Sequence, residues 1–527
     1  MTMIRFPDVG SVGYIADIPD NDLPEQPLAW SSARNFVFRN GLAERAPGYK
    51  SGFGTVQQIP YWLTGAITAA GVPYVVAAST GKVHSYTGIT NRDITKSATT
   101  YAATADTRWT GGELTGFVVL NNSVDAPQSI TISTLGSGNL VDLTNFPANT
   151  TCGFLRPWKY YLVMGNTTES STNYPYKIWW SQAATPGTLP ASWTASATND
   201  AGSVDLSGGK GKVVDAYNLA DQLAIYREQG IVMMRYVGGT DTTNRLVMAF
   251  NAIETSGPTG ILSNNCVGEV PGAGHCVLGN NDVYIFNGSS TSSILNGRWR
   301  DSLFNQMDRT NRKRSFVVSH PKRSEVWICF PTTSMTSCDK ALIWNYADNT
   351  LGYYDLPSAT SGLSAYVDAG FGTTWSSLSA TAWSSLSSTT WASMSGNSTA
   401  PELIFGTAGT KIHVIGGTSD ANGSTFTSQL ERTGISLGDG EGVKFLRGVW
   451  PRFDGPNGQS IDITVGVSMS PDEGFTYGST STYTLGSSRK IDTNVAGRYM
   501  AVRMRSTSGS VWRLRGLDLD IVPMGMY

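Results

Sequence analysis

Apolar residues in this chain come in short bursts with a period of two, broken by clusters of glycine, asparagine, serine and proline. Residues 74–79, the pair Thr80-Gly81 and residues 82–86 read as strand, tight turn, strand. The series continues at residues 117–120, 160–164, 177–180, 223–226, 231–236, 282–286, 325–330 and 341–346, and in the pair 402–405 and 411–415. A parallel α/β sheet needs a long helix between successive strands, and helical periods are nearly absent here. The one helical spacing lies at residues 301–308, where Leu303, Phe304 and Met307 share a face and a local Asp or Ser is expected to cap. Beyond residue 420 the strands lengthen and alternate strictly, at 461–468, 499–505 and 511–521, as in sheets with one buried and one solvated face.

The predicted fold is mainly β: a β-propeller-like array of short antiparallel strands with a C-terminal β-sandwich-like module. The expected division is an N-terminal segment and hairpin at 1–60, serving attachment, and a propeller-like region at 61–365. A Trp-repeat insertion at 366–400 and a strand pair at 401–420 that closes the propeller follow, and the sandwich-like module occupies 421–527. The insertion repeats with a period of eight, placing Trp375, Trp383 and Trp391 in equivalent positions. It reads either as a small coil with stacked tryptophans or as an extended loop docking on a neighbouring subunit.

Composition narrows the function. Only 15% of residues are charged, and 58 of 527 are glycine, which suits a turn-rich β protein. The formal net charge is −2, so attraction to nucleic acid or an anionic membrane is not built into the totals. Low charge with many aromatic residues suits a surface covered by partner subunits. The odd number of cysteines, 5, predicts free thiols formed in a reducing cytoplasm. No apolar run approaches the roughly 20 residues of a membrane span, so no membrane insertion and no export signal are expected.

Candidate chemistry is sparse. Ser470-Pro-Asp472-Glu-Gly474-Phe-Thr476-Tyr477 matches the Asp-box of sialidase-type propellers, a turn-stabilising hairpin away from catalytic centres. A glycosidase needs two carboxylates across one sugar bond, and Asp301, Glu325 and Asp339 are the available acids. His84, His275, His320 and His413 are scattered, and no metal-ligand spacing, phosphate loop or nucleophile elbow occurs. No catalytic residue, cofactor or metal is therefore expected. The densest basic stretch carries Arg309, Arg312, Lys313 and Arg314, which reads as channel-facing, where passing DNA brushes it, or as a subunit contact.

The segment from Arg34 to Tyr49 holds a hairpin whose Asn40-Gly41 turn tolerates positive φ at both centres. Its wording resembles the opening of the nozzle, or tail-hub, proteins of short-tailed bacteriophages. Further stretches resemble the same family in order: Arg108-Trp109-Thr-Gly-Gly with Asn121 to Pro127; Arg156-Pro-Trp158 through Trp179-Trp180-Ser181; Leu223 to Glu228; His275 to Gly288; and Pro321 to Trp327 with Ala341 to Tyr346. The resemblance covers most of residues 25–360. It implies a structural, non-enzymatic virion protein of the tail, assembled in the host cytoplasm. Its partners would be copies of itself in a ring, usually hexameric, a tail adaptor, and a fibre or spike. Double-stranded DNA would pass transiently, without sequence-specific binding. Arg34, Arg39, Glu44 and Arg45, with Trp375, Trp383 and Trp391, are then the expected subunit or fibre contacts. The competing expectation is a carbohydrate-binding or glycan-degrading β-propeller, sialidase-like or a depolymerase.

Overall fold

The computed structural model describes residues 2–97, 100–238, 248–254, 257–368, 400–507 and 511–525. Trp375, Trp383 and Trp391 lie outside the described residues. Among the described residues the strands form a seven-bladed propeller joined to a β-sandwich. Five blades are separate four-stranded antiparallel sheets. They begin at Trp62–Ile67, Thr110–Leu114, Thr150–Trp158, Val213–Leu219 and Val267–Val270. Blade 6 runs from Phe316–His320 through Glu325–Phe330 and Cys338–Asn345 to the first half of the long strand Thr350–Ala365.

That strand is outermost in blade 6 and, after a register shift near Ser361, becomes innermost in blade 7. Blade 7 then adds Glu402–Thr407 and Lys411–Ile415. Its outer strand, Tyr49–Gly52, comes from the N-terminal part of the chain and pairs Gly52 with Ile412 and Tyr49 with Ile415. Apolar clusters fill the gap between each blade and the next, including Trp109 with Val83 between blades 1 and 2 and Ile404 with Val75 between blades 7 and 1. Each such fully buried large side chain contributes about 1.5–3 kcal/mol.

The sandwich takes strands from both ends of the chain. One sheet combines Thr2–Pro7, Phe36–Arg39 and Leu42–Arg45 with Val443–Asp454, Ile491–Gly497 and Arg513–Gly525. The other sets Ser32–Arg34 against Ser428–Ile435, Tyr499–Ser506, Ser460–Ser468 and two short strands. Trp30, Phe36, Phe38, Ile463, Met504 and Trp512 meet between them. The Asn40-Gly41 turn forms as its residue types require, with φ of 53° and 72°. Residues 1–60 are thus not a segment apart. They supply edges to the sandwich and the outer strand of blade 7. Pairing of Tyr353 with Phe36 joins blade 6 to the hairpin, making one continuous 13-stranded sheet through blades 6 and 7 and half of the sandwich.

The helix forms at Arg300–Gln306, with Leu303 and Met307 buried. Its cap is not local: the Asp17 carboxylate accepts from Asp301 N and Ser302 N, both at 2.9 Å. All five cysteines are buried and free. No helix among the described residues is long and apolar enough to cross a membrane.

Candidate functional site

The first strands of all seven blades converge on a central cavity of about 240 Å³, lined among others by Leu63, Gly111, Arg156, Tyr217, Val267, Val317 and Gly362. Arg156 reaches into it from the inner strand of blade 3. In blade 4, Val213–Leu219 carries Asp215, which is wholly buried, one residue before Ala216 and two before Tyr217. The two side chains form a bidentate pair, Arg156 Nε to Asp215 Oδ1 at 2.9 Å and Nη2 to Oδ2 at 2.8 Å. Arg156 also donates to Asn265 Oδ1, the Tyr217 hydroxyl and the Gly111 carbonyl. Asp215 in turn accepts from Ala216 N and Asn265 N. Burial disfavours the Arg156 cation, and the charge of Asp215 outweighs it, holding the guanidinium's pKa above its ordinary value. The network ties blades 2, 3, 4 and 5 together across the axis.

A second cavity of about 310 Å³ is lined by residues that precede or begin inner strands, such as Lys212 and Val213, and by residues within or just after second strands, Asn122 to Val124, Asn166 and Glu228. Arg108 lines both cavities and so stands between them. Asp106, Lys212, Asn264 and Lys313 share the second with it.

The basic stretch adjoins the second cavity. Arg314 donates to Asp106 Oδ1 at 2.7 Å and to the Thr336 carbonyl at 2.6 Å, while Arg309, Arg312 and Lys313 are exposed. Of the four, Lys313 alone lines a described cavity, the second of this chain's own propeller. The four hairpin residues do not form one surface. Arg45 is fully buried, donating to Ser428 Oγ and to the carbonyls of Ser419 and Phe426, which corrects its reading as a subunit contact. Glu44 is also buried. It takes two hydrogen bonds from Arg39, at 2.7 and 2.8 Å, with Arg323 and Arg513 each at 3.4 Å. Burial pushes its carboxyl up, but Arg39 and the other two cations overcome this and hold it below the usual range. These contacts link sandwich to blade 6 from inside, so Arg39 and Glu44 are internal ties as well. Arg34 remains half exposed, paired with Asp355.

The carbohydrate alternative has one geometric echo. In the sandwich, the Tyr477 hydroxyl donates to Glu431, Arg503 pairs with the same carboxylate at 2.7 Å, and its guanidinium lies 3.9 Å from the Tyr477 ring centre. Burial and the hydrogen bond to Glu431 push the Tyr477 phenol well above its ordinary pKa, the opposite of what a nucleophilic phenolate requires. Two of the three acids available to a glycosidase, Glu325 and Asp339, are engaged within blade 6, and the third, Asp301, is exposed on the helix. Glu325 is buried against the Trp327 indole, and Asp339 anchors Thr332 at the other end of the same strand pair. The Asp-box lies in the sandwich, where the Ser470 hydroxyl accepts from Asp472 N in an exposed turn. His275 is buried between the Tyr226 hydroxyl and the Asn218 carbonyl, both at 2.8 Å. No cluster of metal-ligating side chains occurs among the described residues.

Arg108, Arg156 and Asp215 were not singled out as functional residues from sequence. A signal was present: each charge stands within two residues of a tryptophan or a β-branched residue, as in Arg108-Trp109, Arg156-Pro157-Trp158 and Val213-Val214-Asp215.

No family model and no curated protein matches this chain. Among solved structures it is similar to AztD of Citrobacter koseri, with a TM-score of 0.31 and 11% identity over 56% of this chain and 73% of that one. Human WBSCR16 gives a TM-score of 0.35 and 11% identity over 68% and 95% of the two chains. Hsv2p of Kluyveromyces lactis gives 0.31 and 13% over 53% and 80%. The propeller assignment rests on the strand pairing and the closed ring of inner strands.

Proposed function

We propose that this chain is a structural subunit of a cyclic, hexameric ring that forms the tail nozzle of a short-tailed bacteriophage. In that ring it contacts copies of itself, a tail adaptor, and a fibre or spike, and it carries out no reaction. The observation that carries the reading is where the resembling stretches fall. Arg108-Trp109 and Arg156 to Trp158 lie on or beside the inner strands of blades 2 and 3, Leu223 to Glu228 on blade 4, His275 to Gly288 on blade 5, and Pro321 to Trp327 with Ala341 to Tyr346 on blade 6. They mark successive blades in order, as parts of one scaffold would.

The channel of a single chain cannot be the DNA path. A cavity of about 240 Å³ crossed by the Arg156–Asp215 pair is far narrower than a duplex whose major groove alone is about 12 Å wide. DNA would therefore pass between propellers, along the axis of the ring, and the propeller acts as a rigid wall segment. Each subunit of such a ring presents two different, mutually complementary faces.

Native mass measurement and negative-stain imaging of the purified chain, alone and with its adaptor, test this. The expected particle is a ring of six copies with an axial hole that admits a duplex. A monomer under both conditions, together with glycan turnover lost on changing one carboxylate, would overturn it.

A further inference from the structure

Two surfaces of opposite charge lie open to solvent on this chain. The first is the loop that follows the helix. Of its four cations only Arg314 is in an ion pair among the described residues, with Asp106, while Arg309, Arg312 and Lys313 are exposed and unpaired. The loop is fixed by its own hydrogen bonds. The Asp308 carboxylate accepts from Thr310 N at 2.9 Å, Asn311 N at 2.7 Å and Ser334 N at 3.0 Å, and Asn311 donates to the carbonyl of Met335, an exposed apolar side chain.

The second surface closes one end of the sandwich, where three loops meet. Asn21 donates to the Pro471 carbonyl, the Glu25 carboxylate accepts from Ser436 N and Leu437 N, and Asp439 N donates to the Ser436 carbonyl. Asp20, Asp22, Asp439, Glu441, Asp472 and Glu473 are all exposed there, and none is in an ion pair among the described residues. No basic residue occurs in 17–25, 434–442 or 469–476. The cations beneath, Arg432 and Lys444, are buried and donate to backbone carbonyls. Met469 is exposed beside the third loop, as Met335 is beside the basic one.

We infer that these surfaces are the two complementary faces of a subunit contact, the Arg309–Lys313 loop of one copy docking on the acidic end of the sandwich of the next. The inference rests on the ring reading and says where the ring closes. A head-to-tail contact needs two different patches on one chain, and here they differ in sign. Arginine and methionine are enriched in interfaces, and charges held by ordered loops lose little freedom on docking. Duplex DNA would also attract the loop, but it leaves the acidic end without a partner. A second copy answers both.

The test uses the full chain, with its adaptor where rings require it, and counts copies per particle by native mass measurement. Arg309→Glu, Arg312→Glu and Lys313→Glu together should weaken assembly at least about tenfold, with Arg314 left in place to hold Asp106. Asp22→Lys, Glu441→Lys, Asp472→Lys and Glu473→Lys together should do the same. All seven side chains are exposed, so the monomers should stay folded. Both sets of changes in one chain set opposite signs against each other again and should restore the ring. For the natural chain, assembly should weaken at least about tenfold between 0.1 and 1 M sodium chloride, as the screening length falls from about 10 to about 3 Å. Rings that persist in both reversed chains, or a doubly reversed chain that stays unassembled while the natural chain forms rings, would overturn the inference and leave the ring standing. So would a loop variant that keeps its rings and loses only adaptor or DNA binding. A natural chain that forms no ring with or without its adaptor would overturn both.

Discussion

Two arginines enter one channel from neighbouring blades and meet opposite surroundings. Arg156, on blade 3, is gripped by Asp215 and three further acceptors. Arg108, at the start of blade 2, has two buried nitrogens with no acceptor. The first arrangement is complete within the chain, and a completed ion pair fixes the blades it joins. The second leaves a charge that the fold does not answer. The contrast separates an arginine whose charge joins blades from one whose two buried nitrogens the fold leaves without an acceptor.

The largest expected effect comes from breaking the complete side. Asp215→Ala leaves Arg156 buried without its carboxylate and should cost about 3–5 kcal/mol, read as a shift in the denaturant midpoint. A cost comparable to a surface pair, under about 1 kcal/mol, would erase the contrast.

A third way of handling a buried base sharpens it. His320 is buried with neither ring nitrogen hydrogen-bonded, its Nδ1 3.9 Å from a Glu325 carboxylate oxygen, and burial together with Arg323, Lys322 and Arg39 lowers its pKa to about 3. It stays neutral where Arg108 cannot. Because the folded value lies below the unfolded value of about 6.5, the unfolded chain binds the proton first, and stability is retained above pH 6.5 and lost as pH falls towards 3. His320's share of that loss should be roughly 2 kcal/mol between pH 6.5 and 4.5. Denaturation across that range should be less pH-dependent in His320→Gln. Some dependence should persist, because His275 and His413, each lowered to about 4 by burial, act in the same direction.

Glu44→Gln should follow, at about 1–2 kcal/mol, between the limits for exposed and buried pairs, since its three arginine partners keep part of their hydration. The smallest effect is expected at the incomplete side. Arg108→Met should change stability by less than about 0.5 kcal/mol or raise it, by the same denaturation measurement. A loss as large as that of Asp215→Ala would mean that Arg108 is structural too.

Features fixed by neighbouring residues were legible in the sequence. The Asn40-Gly41 turn, the short antiparallel strands and the apolar face of the helix at Arg300–Gln306 all follow from residue types within a few positions. Features fixed by distant partners were not. The helix cap comes from Asp17, the outer strand of blade 7 from Tyr49–Gly52, and half a sandwich sheet from the first 45 residues. Charge misled for the same reason. Arg45 looks like a surface residue until Ser428, Ser419 and Phe426 are brought around it by a fold that joins both ends of the chain. Arg108 was visible as a motif residue, but its lack of an acceptor is a property of the closed ring.

The outer strand of blade 7 sets a timetable for the growing polypeptide. Tyr49–Gly52 leaves the ribosome early, yet its partner Lys411–Ile415 is made only after all the intervening blades. At about 5–20 residues per second the wait is on the order of tens of seconds. Blades 1 to 5 pair only within themselves and can form in order during synthesis, while the first strand remains an open edge. Closure of the ring is therefore among the last steps of folding. Ribosome-bound chains halted before residue 411 should expose Tyr49–Gly52 to proteases that spare it in the finished protein.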